Sequence, residues 1–172
     1  MSDYGSSYGI QSPLTQEELY RNRSQSRMTA LRYAWIGEKC SPELLPYQAN
    51  LVEHVQREIA AYQARLDNDE VVQQLTTVIQ IEIDRARFVL ASYLRTRLAK
   101  IQKFATYVTT EPKAQQRLSP AELEFARGYR ALMADHFNAA FLKDIPEKYR
   151  SLDGRDSMAE PNTNGMSIVF TC

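Results

Sequence analysis

From Glu82 to Phe104 the chain reads EIDRARFVLASYLRTRLAKIQKF, with apolar positions recurring at helical rather than strand spacing. At roughly 100° per residue, Ile83, Ala86, Leu90, Tyr93, Leu94, Leu98, Ile101 and Phe104 fall in one broad arc. Val78, Ile81, Phe88 and Val89 form a weaker stripe near the opposite side. A helix apolar on two sides must be covered on two sides, so this one is expected to sit inside something larger than a two-helix layer, with part of its cover supplied from outside the chain. Arg97 projects from within the main apolar arc, where a guanidinium is costly unless paired. It is therefore expected to be at least half buried and bonded to a carboxylate or to backbone carbonyls of another helix or subunit. Val78, Ile81, Phe88, Val89, Tyr93, Arg97, Ile101 and Phe104 are the candidate subunit-interface residues.

The remaining pattern is also helical. Thr15 to Glu18 fits a capping box and predicts a helix start. Arg21 to Arg27 offers no apolar face and reads as either solvated helix or a break, and helical periodicity resumes at Met28, Leu31 and Trp35. Ser41-Pro42 looks like an N-cap and first-turn pair. Val52, Val55, Ile59, Tyr62 and Leu66 alternate steps of three and four. The long helix is predicted from about Glu70 to Tyr107, on the order of 55 Å. A polar loop over 111–117 follows. Ser119-Pro120-Ala121-Glu122 is a capping box with proline at the first helical position. It opens a helix whose apolar face is Phe125, Tyr129, Leu132, Met133, Phe137, Ala140 and Phe141, stopped by Pro146. Residues 151–165 read as a polar linker, and Met166 to Cys172 as a strand that cannot stand alone. The expectation is an all-α helical bundle of four or five helices, two of them long, over residues 15–150. Residues 1–14 form a disordered tail, and 151–172 form a linker with a fragment of a β domain.

Charge narrows the function classes. Lys+Arg and Asp+Glu number 21 each, for a formal net charge of zero, which argues against a dedicated nucleic-acid binder whose affinity rests on phosphate neutralisation. Arg85, Arg87, Arg95, Arg97, Lys100 and Lys103 spread around the long helix instead of forming a stripe, so direct DNA contact is expected to be weak or absent, and core or interface ion pairing is the favoured use. No stretch approaches the ~18 apolar residues of a membrane span, and the N-terminus lacks the basic and apolar regions of a secretory signal. Cys40 and Cys172 are the only cysteines and read as free thiols, which with the missing signal places the chain in nucleus or cytosol.

No catalytic constellation is visible. With six glycines there is neither GxxxxGK nor GxGxxG to cradle a phosphate. A zinc site of Cys40, His54, His136 and Cys172 is conceivable on residue type alone but lacks ligand spacing. The carboxylates Glu53, Glu58, Glu82, Asp84, Glu122 and Glu124 read as solvated helix faces, some in pairs at spacing three or four. Trp35, Tyr93 and Tyr129 read as core aromatics with polar tips at its edge. An enzyme, a cofactor and a small-molecule substrate are not expected.

Three blocks carry a family resemblance. Tyr93 to Phe104, preceded by Glu82, Arg85, Arg87 to Leu90 and Ser92, resembles the signature helix of the Sld-five family of GINS subunits. Ala34-Trp35-Ile36-Gly37-Glu38-Lys39-Cys40-Ser41-Pro42-Glu43-Leu44-Leu45 resembles the family's "AW..EK..PELL" block, and Leu118 to Arg127 its "LSPEELxFAR" block. Their order and spacing fit over about residues 29–150. The segment 21–27 looks like an insertion, Met158 to Phe170 resembles the linker and first strand of the family's β domain, and the family's acidic-hydrophobic N-terminal docking motif is not seen in residues 1–20. The resemblance implies a non-catalytic subunit of a nuclear heterotetramer with three other GINS subunits. That tetramer joins an Mcm-type helicase motor and a Cdc-type partner in the replicative CMG helicase. A stand-alone helical adaptor outside replication is the alternative, and a nucleic-acid-binding bundle ranks third.

Overall fold

The computed structural model describes residues 16–67, 73–146, 150 and 159–162. Helix α1 spans Gln16–Cys40 and is continuous through the apolar-free stretch 21–27. Met28, Leu31, Trp35 and Glu38 recur at steps of three and four and give it one inward face. Ser41 and Pro42 end this helix instead of starting another. The Ser41 amide donates to Gly37 O at 2.9 Å, and Pro42 has no amide with which to continue. Residues 41–48 then run without helix, because their backbone groups are claimed by side chains described below.

Helix α2 spans Ala49–Asp67 and inserts Val52 and Val55 against the long helix α3, Gln73–Lys103. The 31 residues of α3 extend about 46 Å. The predicted helix to Tyr107 is interrupted at Phe104, whose backbone (φ −113°, ψ 27°) leaves the helical region. Phe104 itself is buried, so the bend turns its ring into the core. Helix α4, Ala105–Thr110, continues in a new direction. The expected polar loop holds a one-turn helix α5, Pro112–Gln115, started by Pro112 and anchored by buried Ala114. Helix α6, Pro120–Ala140, opens with the predicted capping box: Ser119 Oγ accepts from the Glu122 amide, and the Glu122 carboxylate accepts from the Ser119 amide. A short 3-10 turn, Leu142–Asp144, closes the bundle, and Arg150 donates back to the carbonyls of Ile145 and Lys143.

Two apolar cores result. Leu31, Val52, Val55, Val89, Leu90 and Tyr93 join α1, α2 and the middle of α3. Leu44, Ile101, Phe104, Val108 and Ala126 join the 41–48 segment, the end of α3, α4 and α6. Among the described residues the structure is helical, with no strand. The expected tail over 1–14 and the expected strand over Met166–Cys172 lie outside the described residues, as does most of the expected linker.

Candidate interaction site

Between the two cores lies a polar layer built on Arg97, which is 0 % exposed. The main arc of α3 points this residue at α1, α6 and the 41–48 segment at once. Its five N–H groups meet five acceptors. Nε donates to Glu122 Oε1 at 2.7 Å, and one terminal nitrogen donates to Glu122 Oε2 and Arg117 O, both at 3.0 Å. The other terminal nitrogen donates to Glu38 Oε2 at 3.0 Å and to Leu45 O at 2.7 Å. A guanidinium has only five donors, so none is left over. Lys100, one turn on, donates to both Glu38 O and Glu43 O and pairs with Glu38 Oε1 at 2.9 Å. Arg117 donates to Leu44 O at 3.0 Å and pairs with Glu43 at 2.7 Å.

These contacts explain why 41–48 has no helix. The carbonyls of Glu43, Leu44 and Leu45 are each taken by a different cation. The Tyr47 amide donates to Arg117 O, and the Gln48 amide to the Tyr93 hydroxyl at 3.4 Å. Among the described residues no buried side-chain nitrogen or oxygen lacks a partner. The layer thus ties α1, α3, α6 and the connecting segment into one unit.

Two sequence expectations are corrected here. Glu122, read as a solvated helix residue, is buried, because its carboxylate serves both the Ser119 cap and the Arg97 fork. Glu58, read the same way, is largely covered and pairs with Arg27 of α1. Glu53, Glu82 and Asp84 do sit in exposed pairs at spacing three or four, with Arg57, Arg85 and Arg87. Glu38 was missed as a functional residue. Its signal was its place at spacing 3 from Trp35 and 7 from Leu31, on the inward face of α1.

The rings of Tyr47 and Tyr93 flank the guanidinium, at 5.3 and 5.8 Å from its centre. Burial raises both phenols above their ordinary value; Glu122 adds to the rise at Tyr47, while Arg97 opposes it at Tyr93. At Arg97 burial acts to lower the value, but Glu122, Tyr93 and Glu38 together more than offset it and the net shift is upward. The unfolded chain loses the tyrosines' protons near pH 10 while the folded chain holds them, so their stabilisation is complete below about pH 10 and is lost as pH rises through the folded values. Urea midpoints measured from about pH 8 to 11 should fall less steeply for the Tyr47→Phe/Tyr93→Phe variant than for the wild type. Parallel curves would show that the two phenols do not titrate with unfolding.

The eight candidate interface residues divide by exposure. Val89, Tyr93, Arg97, Ile101 and Phe104 are packed inside the chain. Val78, Ile81 and Phe88 are open, at 56 %, 52 % and 61 % exposure. The Phe88 ring stands edge-on to Trp35 at 6.2 Å. Ile81 and Phe88 line a shallow groove between α1 and α3 with Arg32, Asp84, Arg85 and Val89. A second open apolar face runs along α6. Phe125 stacks on Tyr129, Phe137 packs on Phe141, and Leu132 between them is 64 % exposed. The helix turns Glu122 and Ala126 inward instead of this aromatic stripe. Cys40 is exposed, His54 bonds back to Asn50 O in α2, and His136 packs on Phe137. Among the described residues no three His, Cys, Asp or Glu converge to hold a metal, and no helix is long and apolar enough to cross a membrane. Cys172 lies outside the described residues.

The family model for Sld5, the GINS complex protein helical bundle domain, matches residues 46–141, which run from the clamped segment to the end of α6. This chain belongs to the Sld5 family. It is 34 % identical over 132 residues to the DNA replication complex GINS protein SLD5 of Arabidopsis thaliana, covering 75 % of this chain and 60 % of that protein. The Schizosaccharomyces pombe protein of the same description is 30 % identical over 125 residues, covering 70 % of this chain and 58 % of its own length. The Homo sapiens protein is 33 % identical over 145 residues, covering 81 % and 64 %. The chain thus spans about three fifths of the length of the curated relatives it matches. Within the Sld5 bundle, the matched region holds Arg97, Glu122, the open stripe of α3 and the aromatic face of α6. Glu38 lies before it, on α1.

Proposed function

We propose that this chain is a non-catalytic structural subunit of the GINS heterotetramer, acting in the initiation and elongation of chromosomal DNA replication in the nucleus. In this reading three other GINS subunits cover its open apolar faces, and the tetramer joins the Mcm-type motor and the Cdc-type partner in the CMG helicase. The observation that carries the reading is the open stripe of Val78, Ile81 and Phe88 on a chain of the Sld5 family. Apolar side chains at this exposure along one helix favour a partner of matching apolar surface. The chemistry of the buried layer supports a structural role. Its cations are committed to fixed carboxylates and carbonyls, which gives architecture and leaves no poised nucleophile or base. Two exposed arginines of α3, Arg85 and Arg87, support weak or absent DNA contact, since they are matched by Glu82 and Asp84 on their own helix.

Co-expression with the three other subunits tests the proposal. A single complex of 1:1:1:1 stoichiometry by light scattering is the expected result. A soluble monomer that ignores all three would favour a stand-alone adaptor. Steeply salt-dependent binding of the lone chain to duplex DNA would favour a nucleic-acid-binding bundle.

A further inference from the structure

A groove at the far end of the bundle is walled in part by a residue from later in the chain, Pro161. Its floor is Leu44, Phe104, Val108 and Ala114, all buried residues, three of them members of the second core. Its rim carries the Glu43–Arg117 ion pair on one side and Glu111 and Lys113 on the other. Pro161 lines this groove together with the α4–α5 end and is half-buried, while Ala159, Glu160 and Asn162 around it are exposed. Pro161 is the residue of this run turned toward the groove.

We infer that residues 159–162 form a latch, with Pro161 as the anchor that fastens the region after the bundle to the α4–α5 end. The residue type suits the task. Proline has no N–H, so packing toward the apolar floor leaves no donor of its own unpaired, and its fixed φ reduces the freedom lost on docking. The residue before a proline favours extended backbone, which keeps Glu160 turned along the surface instead of coiling away. The seat is rigid for a reason already given: Leu44 is held through its carbonyl by Arg117, and Ala114 by the one-turn helix that Pro112 starts.

The latch has its seat at the α4–α5 end of the bundle. That point lies near Phe104, roughly 24 Å along α3 from Phe88 at 1.5 Å per residue. A partner covering the Val78–Ile81–Phe88 stripe would therefore not compete with it. The inference stands independently of the proposed function, since it concerns contacts within one chain.

A nitroxide spin label tests it in the full-length chain. The label is attached at Glu160→Cys after Cys40→Ser and Cys172→Ser remove the other thiols. The expected result is loss of the amide signals of Leu44, Val108 and Ala114, with those of Val78 and Phe88 retained. Adding Pro161→Gly should restore the lost signals without altering the dispersion of the rest of the spectrum, which reports that the bundle is intact. Uniform weak broadening, or broadening that survives Pro161→Gly, would overturn the latch. A mixture of isotope-labelled untagged chain with unlabelled tagged chain makes the last distinction. Broadening there would place the segment on a second copy and would also overturn it.

Discussion

Replacing Arg97 with alanine is expected to destabilise the folded chain by about 3–5 kcal/mol, because it strands buried charge. The guanidinium is fully buried and all five of its donors are used. Alanine would leave the Glu122 carboxylate without its fork, and the carbonyls of Leu45 and Arg117 without those donors. Glu38 would fare better, since Lys100 still pairs with it at 2.9 Å. Lysine at 97 brings charge but only three donors and no planar fork, so Arg97→Lys should fall between alanine and wild type. Removing the stranded charge should recover part of the loss. Arg97→Met/Glu122→Gln is expected to be more stable than Arg97→Met alone, since apolar and neutral replacements of a buried pair are often tolerated. Urea unfolding of the four variants checks the order. An alanine variant within about 0.5 kcal/mol of wild type, the range of ordinary surface changes, would show that the layer is wet and the pairing dispensable.

Arg97 also shows how far the sequence could be read. Its place in the apolar arc of α3 signalled burial, because helical periodicity fixes direction from local spacing alone. Its partners were not legible. Glu38 and Glu122 are 59 and 25 residues away, on helices whose relative placement depends on packing. From sequence Glu122 reads as solvated, because a capping box accounts for a carboxylate at that position without revealing its further bond to Arg97. The 41–48 segment failed for the same reason. Ser41-Pro42 carries a local helix-start signal, yet three cations from α3 and the loop before α6 claim the carbonyls that a helix would need. The long helix was right in existence and face, but its end moved to Lys103 because a buried Phe104 ring outweighs one more turn of regular backbone. On α6 the periodicity found the aromatic stripe but not its exposure. Which side of a helix meets the core is set by neighbours, and here Ala126 lets α6 approach closely while Glu122 reaches Arg97.

Phe88→Asp is expected to weaken strongly the proposed association with three other GINS subunits while leaving the lone chain helical. In the isolated chain the ring stands edge-on to Trp35 at 6.2 Å, a contact worth about 0.5–1.5 kcal/mol. An aspartate four residues after Asp84 adds like-charge repulsion of only a few tenths of a kcal/mol. The fold can absorb both, since the residue faces water and both cores are formed without it. Inside an interface the balance differs. A central aromatic anchor is typically worth 2 kcal/mol or more, and a carboxylate forced into its pocket adds a desolvation cost of roughly the same size or larger. Together these weaken binding by about a thousandfold, since each 1.4 kcal/mol is tenfold. Ile81→Asp should act in the same direction from the same stripe, and Leu132→Asp asks separately whether the α6 face is covered by a different contact. Circular dichroism of the lone variants, followed by co-purification and light scattering with the three subunits, reads both halves of the expectation. If Phe88→Asp melts the isolated chain, the ring belongs to the chain's own core. If the variant assembles with wild-type yield, the stripe is not where the partners bind.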